Sequence, residues 1–158
     1  MSMNGLQLTE VLLRNQVTRP YFGGVMSADQ VPLSSAHTKT LYVINSDINS
    51  QPGSHWMVIF LGSLPEFFDS FGNNPNLYYQ DIEQCLINNG PNYIYNLQKV
   101  QPDESIYCSL YCLFYIYHKC IDLSMEEIIC MLKRSYLPLN DTLVKEFCEY
   151  HYGLKVDF

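Results

Sequence analysis

The stretch Val100-Gln101-Pro102-Asp103-Glu104-Ser105-Ile106-Tyr107-Cys108-Ser109-Leu110-Tyr111-Cys112-Leu113-Phe114-Tyr115 changes character at Cys108. Before it stand a Pro, two acids and a Ser, the composition of a loop. From Cys108 to Cys120 the chain is almost wholly apolar and too long for a strand, so a helix buried nearly all round is predicted there. Cys108 then sits at a helix start, where free amides and the positive end of the helix dipole favour the thiolate form of a cysteine. Cys112, one turn further in on the same side, is expected to be deeper and inert. Gln101 lies seven residues upstream, close enough for the Pro102 loop to return it to the thiol.

Working outward, an amphipathic helix is predicted over Leu6 to Gln16, ended by Arg19-Pro20. Tyr21 to Val25 reads as a strand or turn with two glycines. Lys39 to Asn45 is β-branched and aromatic, hence a strand. Ser46 to Ser54 is a polar loop. His55 to Leu61 (HWMVIFL) is a continuous apolar run, the mark of a central strand buried on both faces. Glu66 to Phe71 pairs with it as a hairpin, broken by Gly72-Asn73-Asn74-Pro75. A helix is expected over Leu77 to Asn88 and a strand through Tyr93, Tyr95 and Leu97. Ser124-Met125-Glu126-Glu127 has capping-box form and opens a helix to about Arg134. A last helix spans Asp141 to Tyr150. The fold class is α+β, a central mixed sheet packed against helices.

The 158 residues and 47% apolar content fit one domain, 1–158, with one core. Thirteen Tyr and eight Phe are the compositional oddity, with many Tyr rings expected half-exposed, as core filler or along a groove. The formal charge of −7, with nine basic residues thinly spread, disfavours nucleic acid as a partner. No segment approaches the ~18 apolar residues of a membrane span, and Met1-Ser2-Met3-Asn4 does not open a secretory signal. The six cysteines are therefore expected as reduced thiols in an intracellular, reducing compartment. Cys120, Cys130 and Cys148 read as small core residues on apolar helical faces. Zinc at Cys108, Cys112, His118 and Cys120 is the rival reading, but no CxxC pair is present and no metal is expected.

A nucleophilic thiol needs a base. Of four histidines, His37 lies in a Ser/Thr loop, His118 in the buried helix and His151 near the C-terminus. His55 stands where a polar loop enters a central strand, at the rim of the sheet. Asp69 interrupts the apolar strand Phe67-Phe68-Asp69-Ser70-Phe71, where an unpaired carboxylate is costly. The hairpin returns it toward His55, whose tautomer and charge it would fix. The Cys108 amide and the Gln101 side chain are then natural donors to an oxyanion.

The order His55-Trp56, Asp69-Ser70-Phe71-Gly72, Gln101, Cys108 resembles the adenovirus-type (adenain-like) cysteine proteases, within the wider superfamily of proteases that process SUMO and other ubiquitin-like proteins. Pro20-Tyr21-Phe22-Gly23-Gly24 is similar to the N-terminal segment of the same family. The likeness runs from about Pro20 to His118. It departs at Asp69, where the adenain branch usually has Glu and the SUMO branch Asp, and at Ser109, where most relatives have Gly. It implies a papain-like/adenain-like fold and a peptidase with Cys108, His55, Asp69 and Gln101 as catalytic residues. Trp56 would wall a narrow cleft and favour Gly on the acyl side of the cut. The substrate would be a viral precursor or ubiquitin-like protein, with virion maturation or deubiquitination and deSUMOylation as the setting. The source would be a DNA virus or virus-like element, and the location the host nucleus, cytoplasm or virion. An activating peptide is a partner that the resemblance allows, with Cys85 as its tether or simply a buried thiol; a DNA cofactor is disfavoured by the acidic balance. Other classes remain: a silent pseudo-protease that binds ubiquitin-like or capsid proteins, or a Tyr-rich interaction protein.

Overall fold

A computed structural model describes residues 3–50 and 54–156. Five strands form one sheet in the order β1-β2-β3-β4-β5: Phe22–Met26, Thr40–Asn45, Trp56–Leu61, Glu66–Phe68 and Ile94–Tyr95. β1 and β2 are parallel, β2/β3 and β3/β4 antiparallel, and β4 and β5 parallel, so the sheet is mixed. The helices are α1 Gly5–Arg14, α2 Gln80–Asn88, α3 Cys108–Cys120, α4 Met125–Met131 and α5 Pro138–Tyr152.

The unbroken apolar run of β3 has the reason expected of it. Val58 and Phe60 face a core shared with α1, α3 and α5, which also holds Leu41, Val43, Phe68 and Leu113. Met57, Ile59 and Leu61 face the opposite core, closed by Ile82, Cys85 and Leu86 of α2. The period-2 alternation of a strand delivers successive side chains to the two faces. α3 crosses one face and is pinned at depth. Tyr115 stacks on Phe68 at 4.3 Å, and its hydroxyl donates to Glu66 at 2.6 Å. Lys119 pairs with the other Glu66 oxygen at 2.9 Å. With its far end tied to β4, the first turn of α3 has a fixed position along the sheet.

Several elements differ in extent from the expectation. α1 stops before Asn15, whose side chain takes the amides of Val17 and Thr18 and so competes with the helix. β4 ends at Phe68, not Phe71, because the Asp69 amide and carbonyl turn to the side chain of Asn96. β5 shrinks to two residues as Asn96 leaves the ladder for that contact. Pro75–Leu77 is a separate tight turn capped by Asn74, and α2 begins only at Gln80. α4 ends at Met131. α5 is longer than expected, opened by Pro138 and closed by Gly153 at φ +68°.

The thiols divide. Cys85, Cys112, Cys120 and Cys148 are buried, whereas Cys130 is exposed and corrects the expectation that placed it in the core. α4 is only two turns long, and its outward face carries Glu126, Glu127 and Cys130. Many Tyr rings, Tyr42, Tyr78, Tyr93 and Tyr117 among them, are half-buried as expected. Tyr111 and Tyr115 are fully buried, with their hydroxyls satisfied by Asp141 and Glu66. Among the described residues, no helix is long and apolar enough to cross a membrane, and no three His, Cys, Asp or Glu side chains converge as metal ligands.

Candidate active site

The hairpin of β3 and β4 brings the rim histidine and the strand-end acid together. Val58 pairs with Phe68, so one step further Asp69 stands opposite Met57, and His55, two residues before Met57 and on the same face, comes beside it at that end of the hairpin. His55 Nε2 lies 2.7 Å from Asp69 Oδ1. Asp69 is wholly buried and fully engaged. The Phe71 amide donates to Oδ1 at 2.9 Å, and the Tyr78 hydroxyl donates to Oδ2. Asn96 clamps the Asp69 backbone, accepting from its amide and donating to its carbonyl. A carboxylate saturated in this way stays ionised despite its burial. Burial pushes its pKa up, but the bonds from His55, Tyr78 and Phe71 outweigh that and hold it below the usual value.

The other face of the imidazole is set by Phe71, stacked at 4.8 Å. With Nε2 committed to Asp69, Nδ1 is the free ring nitrogen, and His55 and Cys108 line the same cavity, close enough for the sulfur to act on the imidazole. Burial of His55 disfavours its charged form. The bond to the Asp69 carboxylate and the neighbouring Cys108 overcome this and push its pKa up to about 9.

Cys108 opens α3. The first rungs of that helix are the Leu110 and Tyr111 amides on the Tyr107 carbonyl, which leaves the Cys108 and Ser109 amides ahead of the ladder as its orphan donors. Cys112 lies below, wholly buried, its pKa pushed well up by burial and by the nearby Cys108 and Asp69. That environment makes it inert.

Ser70 fastens the pre-nucleophile loop to the hairpin. Its carbonyl accepts from the amides of both Val100 and Gln101, at 2.9 and 3.1 Å. Its hydroxyl donates to Gln101 Oε1 at 2.5 Å. Gln101 Nε2 faces the Ser105 carbonyl at 3.0 Å and the Ser105 hydroxyl at 3.2 Å. A carbonyl can only accept, so the nitrogen must face this side. Ser105 is in turn held by Asp141 of α5 at 2.9 Å.

His55, Gln101, Cys108, Phe71, Ser105 and Ile106 line one cavity of about 320 Å³. Cys108 also lines a second cleft, of about 470 Å³, with Trp56, Met3, Gly5, Met26 and Asp47 in its walls. The four side chains singled out in the sequence thus gather around one edge, with Trp56 flanking the sulfur. His37, His118 and His151 lie elsewhere; His118 Nδ1 donates to the Phe114 carbonyl within α3. Sequence reasoning missed Tyr78, Asn96, Ser70, Ser105 and Phe71. Only Ser70 and Phe71, adjacent to Asp69, carried a signal, since alternate residues at a strand end share its surroundings.

The fold is shared with a viral cysteine protease. Over 99% of its length the chain superposes on the crystal structure of the ASFV pS273R protease, at TM-score 0.63 and 17% sequence identity, covering 68% of that protein. A selenomethionine crystal structure of the same protease overlaps 76% of the chain and 45% of its own, at TM-score 0.46 and 20% identity. No protein-family model and no curated protein matches the chain.

Proposed function

We propose that the chain is a cysteine endopeptidase with Cys108 as nucleophile, His55 as general base and acid, Asp69 as the residue orienting the imidazole, and Gln101 with the Cys108 amide as the oxyanion site. The observation that carries this reading is the imidazole of His55, bonded through Nε2 to Asp69 and lining one cavity with the Cys108 sulfur. The shared fold with a viral cysteine protease supports it.

The reaction follows from these positions. The thiol proton passes to His55 Nδ1, and the sulfur attacks the scissile carbonyl. The negative oxygen is received at the start of α3 by the Cys108 amide. Gln101 reaches the same oxygen by turning one N–H away from the Ser105 hydroxyl, while the Ser105 carbonyl keeps the other. His55 gives its proton to the leaving amine, the C–N bond breaks and a thioester remains. Water, deprotonated by His55, attacks the thioester, and the sulfur leaves to reclaim the proton. Asp69 stays ionised throughout and holds the ring.

The indole of Trp56 narrows the approach to the sulfur, which favours Gly on the acyl side. The substrates proposed are Gly-containing junctions in viral or virus-like precursor proteins, or the tails of ubiquitin-like proteins. The test is labelling by a thiol-reactive ubiquitin-like probe alongside turnover of Gly-Gly peptides. Wild type should do both and Cys108→Ala neither; equal behaviour of the two would show that the nucleophile lies elsewhere. A second reading, a pseudo-protease that only binds such proteins, draws on the engagement of Gln101 with Ser105. A binder would retain the probe without forming a covalent adduct.

A further inference from the structure

We propose that the segment Met3–Gly5 is a working part of the catalytic centre, and that Ser109 is the positioning residue that docks it there. The effect on catalysis rests on the protease reading above; the docking itself does not.

Met3 is tied to two distant points. Its amide donates to Ser109 Oγ at 3.4 Å, and its carbonyl accepts from Trp56 Nε1 at 2.9 Å. Ser109 follows the thiol and Trp56 follows the imidazole in the chain. One residue of the N-terminal segment therefore bridges the element that carries Cys108 and the element that carries His55. The Met3 side chain is buried in the core shared by α1 and α3, so the bridge cannot drift. The segment is also fixed on its far side. Asn4 caps α1 through a reciprocal pair of bonds with Gln7, both at 2.9 Å. Gly5 then lies against the indole: a Cβ there would stand 3.6 Å from Trp56 Cη2 and 3.5 Å from Val25 Cγ1.

Ser109 is the informative residue. Its side chain is wholly buried in the first turn of an otherwise apolar helix. A buried hydroxyl is costly without a partner, and this one accepts from Met3. The same segment walls the cleft that opens beside the sulfur, together with Trp56 and Cys108. Removing the Ser109 oxygen frees the Met3 amide. The Met3 carbonyl then loses its fixed place, and with it the indole loses its hydrogen bond. The expected result is a Trp56 ring that moves over the cleft and a first turn of α3 less firmly aligned with the imidazole.

The chain has one tryptophan, so emission excited selectively at the indole, beyond the absorption of the thirteen Tyr, reports on this contact. In a Cys108→Ala background, where no chemistry runs, adding Ser109→Ala should shift the emission to longer wavelength and raise acrylamide quenching. Unchanged emission would overturn the docking role whatever the protein does as an enzyme. In the active chain, Ser109→Ala should lower kcat/KM on a Gly-Gly peptide about tenfold, the scale of one lost hydrogen bond, while the thermal midpoint stays within a few degrees because Ala suits a helix. Trp56→Phe removes the other anchor. If both anchors hold one segment, the double variant should lose little beyond the worse single one. Losses that multiply would show independent roles and overturn the bridge. If the chain proves to have no peptidase activity, the emission measurement alone decides the docking.

Discussion

His55 Nε2 and Asp69 Oδ1 lie 2.7 Å apart although fourteen residues separate them. The pairing costs the molecule no special device. It follows from the antiparallel register of β3 and β4, which sets Asp69 opposite Met57 and so diagonal to His55 on the same face. What is specific is the cradle around the acid: Tyr78, Phe71 and Asn96 leave neither the carboxylate nor the backbone of Asp69 unpartnered.

Asp69→Asn should keep the fold and lose most of the activity. An amide can still accept from Phe71, but it cannot stabilise an imidazolium. A loss of about 10³-fold or more in kcat is expected, by analogy with other buried acids behind a catalytic His. The pH dependence gives the sign. The pKa of His55 is raised from 6.5 to about 9, so the limb where the leaving amine loses its proton donor should lie near that value in wild type. It should move toward neutrality in the variant. Stability makes the same point once the thiol is removed. In Cys108→Ala the charged imidazole still favours the folded state. That contribution is complete below the unfolded pKa of 6.5 and is lost as pH rises through the higher folded pKa. Thermal midpoints of Cys108→Ala should therefore fall with rising pH across this window, and those of Cys108→Ala/Asp69→Asn should fall less.

Gln101→Ala tests whether the amide held by Ser70 and Ser105 serves the oxyanion. Removing one such donor typically costs about 10²–10³ in kcat. The loss should appear in kcat more than in KM, since the oxyanion exists only in the transition state. Ser105→Ala frees Nε2 from its hydroxyl partner without touching the substrate. It should change kcat by less than Gln101→Ala does. Equal losses would mean that the loop is merely held together by this contact.

Tyr78→Phe removes the hydroxyl from Asp69 Oδ2 and leaves the ring in place. The lost bond to a buried charge should destabilise the protein by about 1–3 kcal/mol, read from urea unfolding. It also removes one of the groups that lower the pKa of Asp69. The acid limb of the activity profile should therefore move to higher pH, which a purely structural contact would not cause.

Gly72 closes the turn that follows the acid. Its φ is +74°, and a Cβ there would stand 2.8 Å from the backbone of Gln98 and Lys99. Gly72→Ala meets both a disfavoured conformation and fixed main chain, which cannot yield as a flexible side chain would. A loss of about 2–4 kcal/mol is expected. Because Val100 and Gln101 hang from Ser70 in the same turn, activity should fall together with stability.

The elements with a strong period were legible in the sequence. The apolar run from His55 predicted a strand buried on two faces, and the run from Cys108 predicted α3 at its observed bounds. Less was legible where side chains compete with the backbone for hydrogen bonds. Asn96 ends both β4 and β5 early, and Asn15 cuts α1 short. At the site, His55, Asp69, Gln101 and Cys108 each stand at an element end, where a polar residue beside an apolar run gives a local signal. Tyr78 and Met3 gave none. Their roles exist only because the fold brings a tight turn and a chain end to the same edge, and no local pattern encodes that.

The thiols make the last prediction, and here burial and reactivity separate residues that composition treats alike. Cys85 and Cys120 have pKa values pushed up by burial to about 11 and about 12. Cys112 and Cys148 are raised further for the same reason. Since the thiolate is the reactive form, these four should resist iodoacetamide in the native protein at neutral pH. Cys130 is exposed on α4, and Cys108 lines one cavity with His55. Peptide mapping after brief alkylation should find label on those two alone. The rates should part them: Cys108 should react faster near pH 6, where a free surface thiol is almost wholly protonated, and His55→Ala should abolish that advantage without changing the rate at Cys130. Activity should be lost in step with modification of Cys108, and a Cys130→Ser chain should keep it. If Cys130 reacts first at pH 6, the imidazole does not activate the sulfur, and the contact between them is structural.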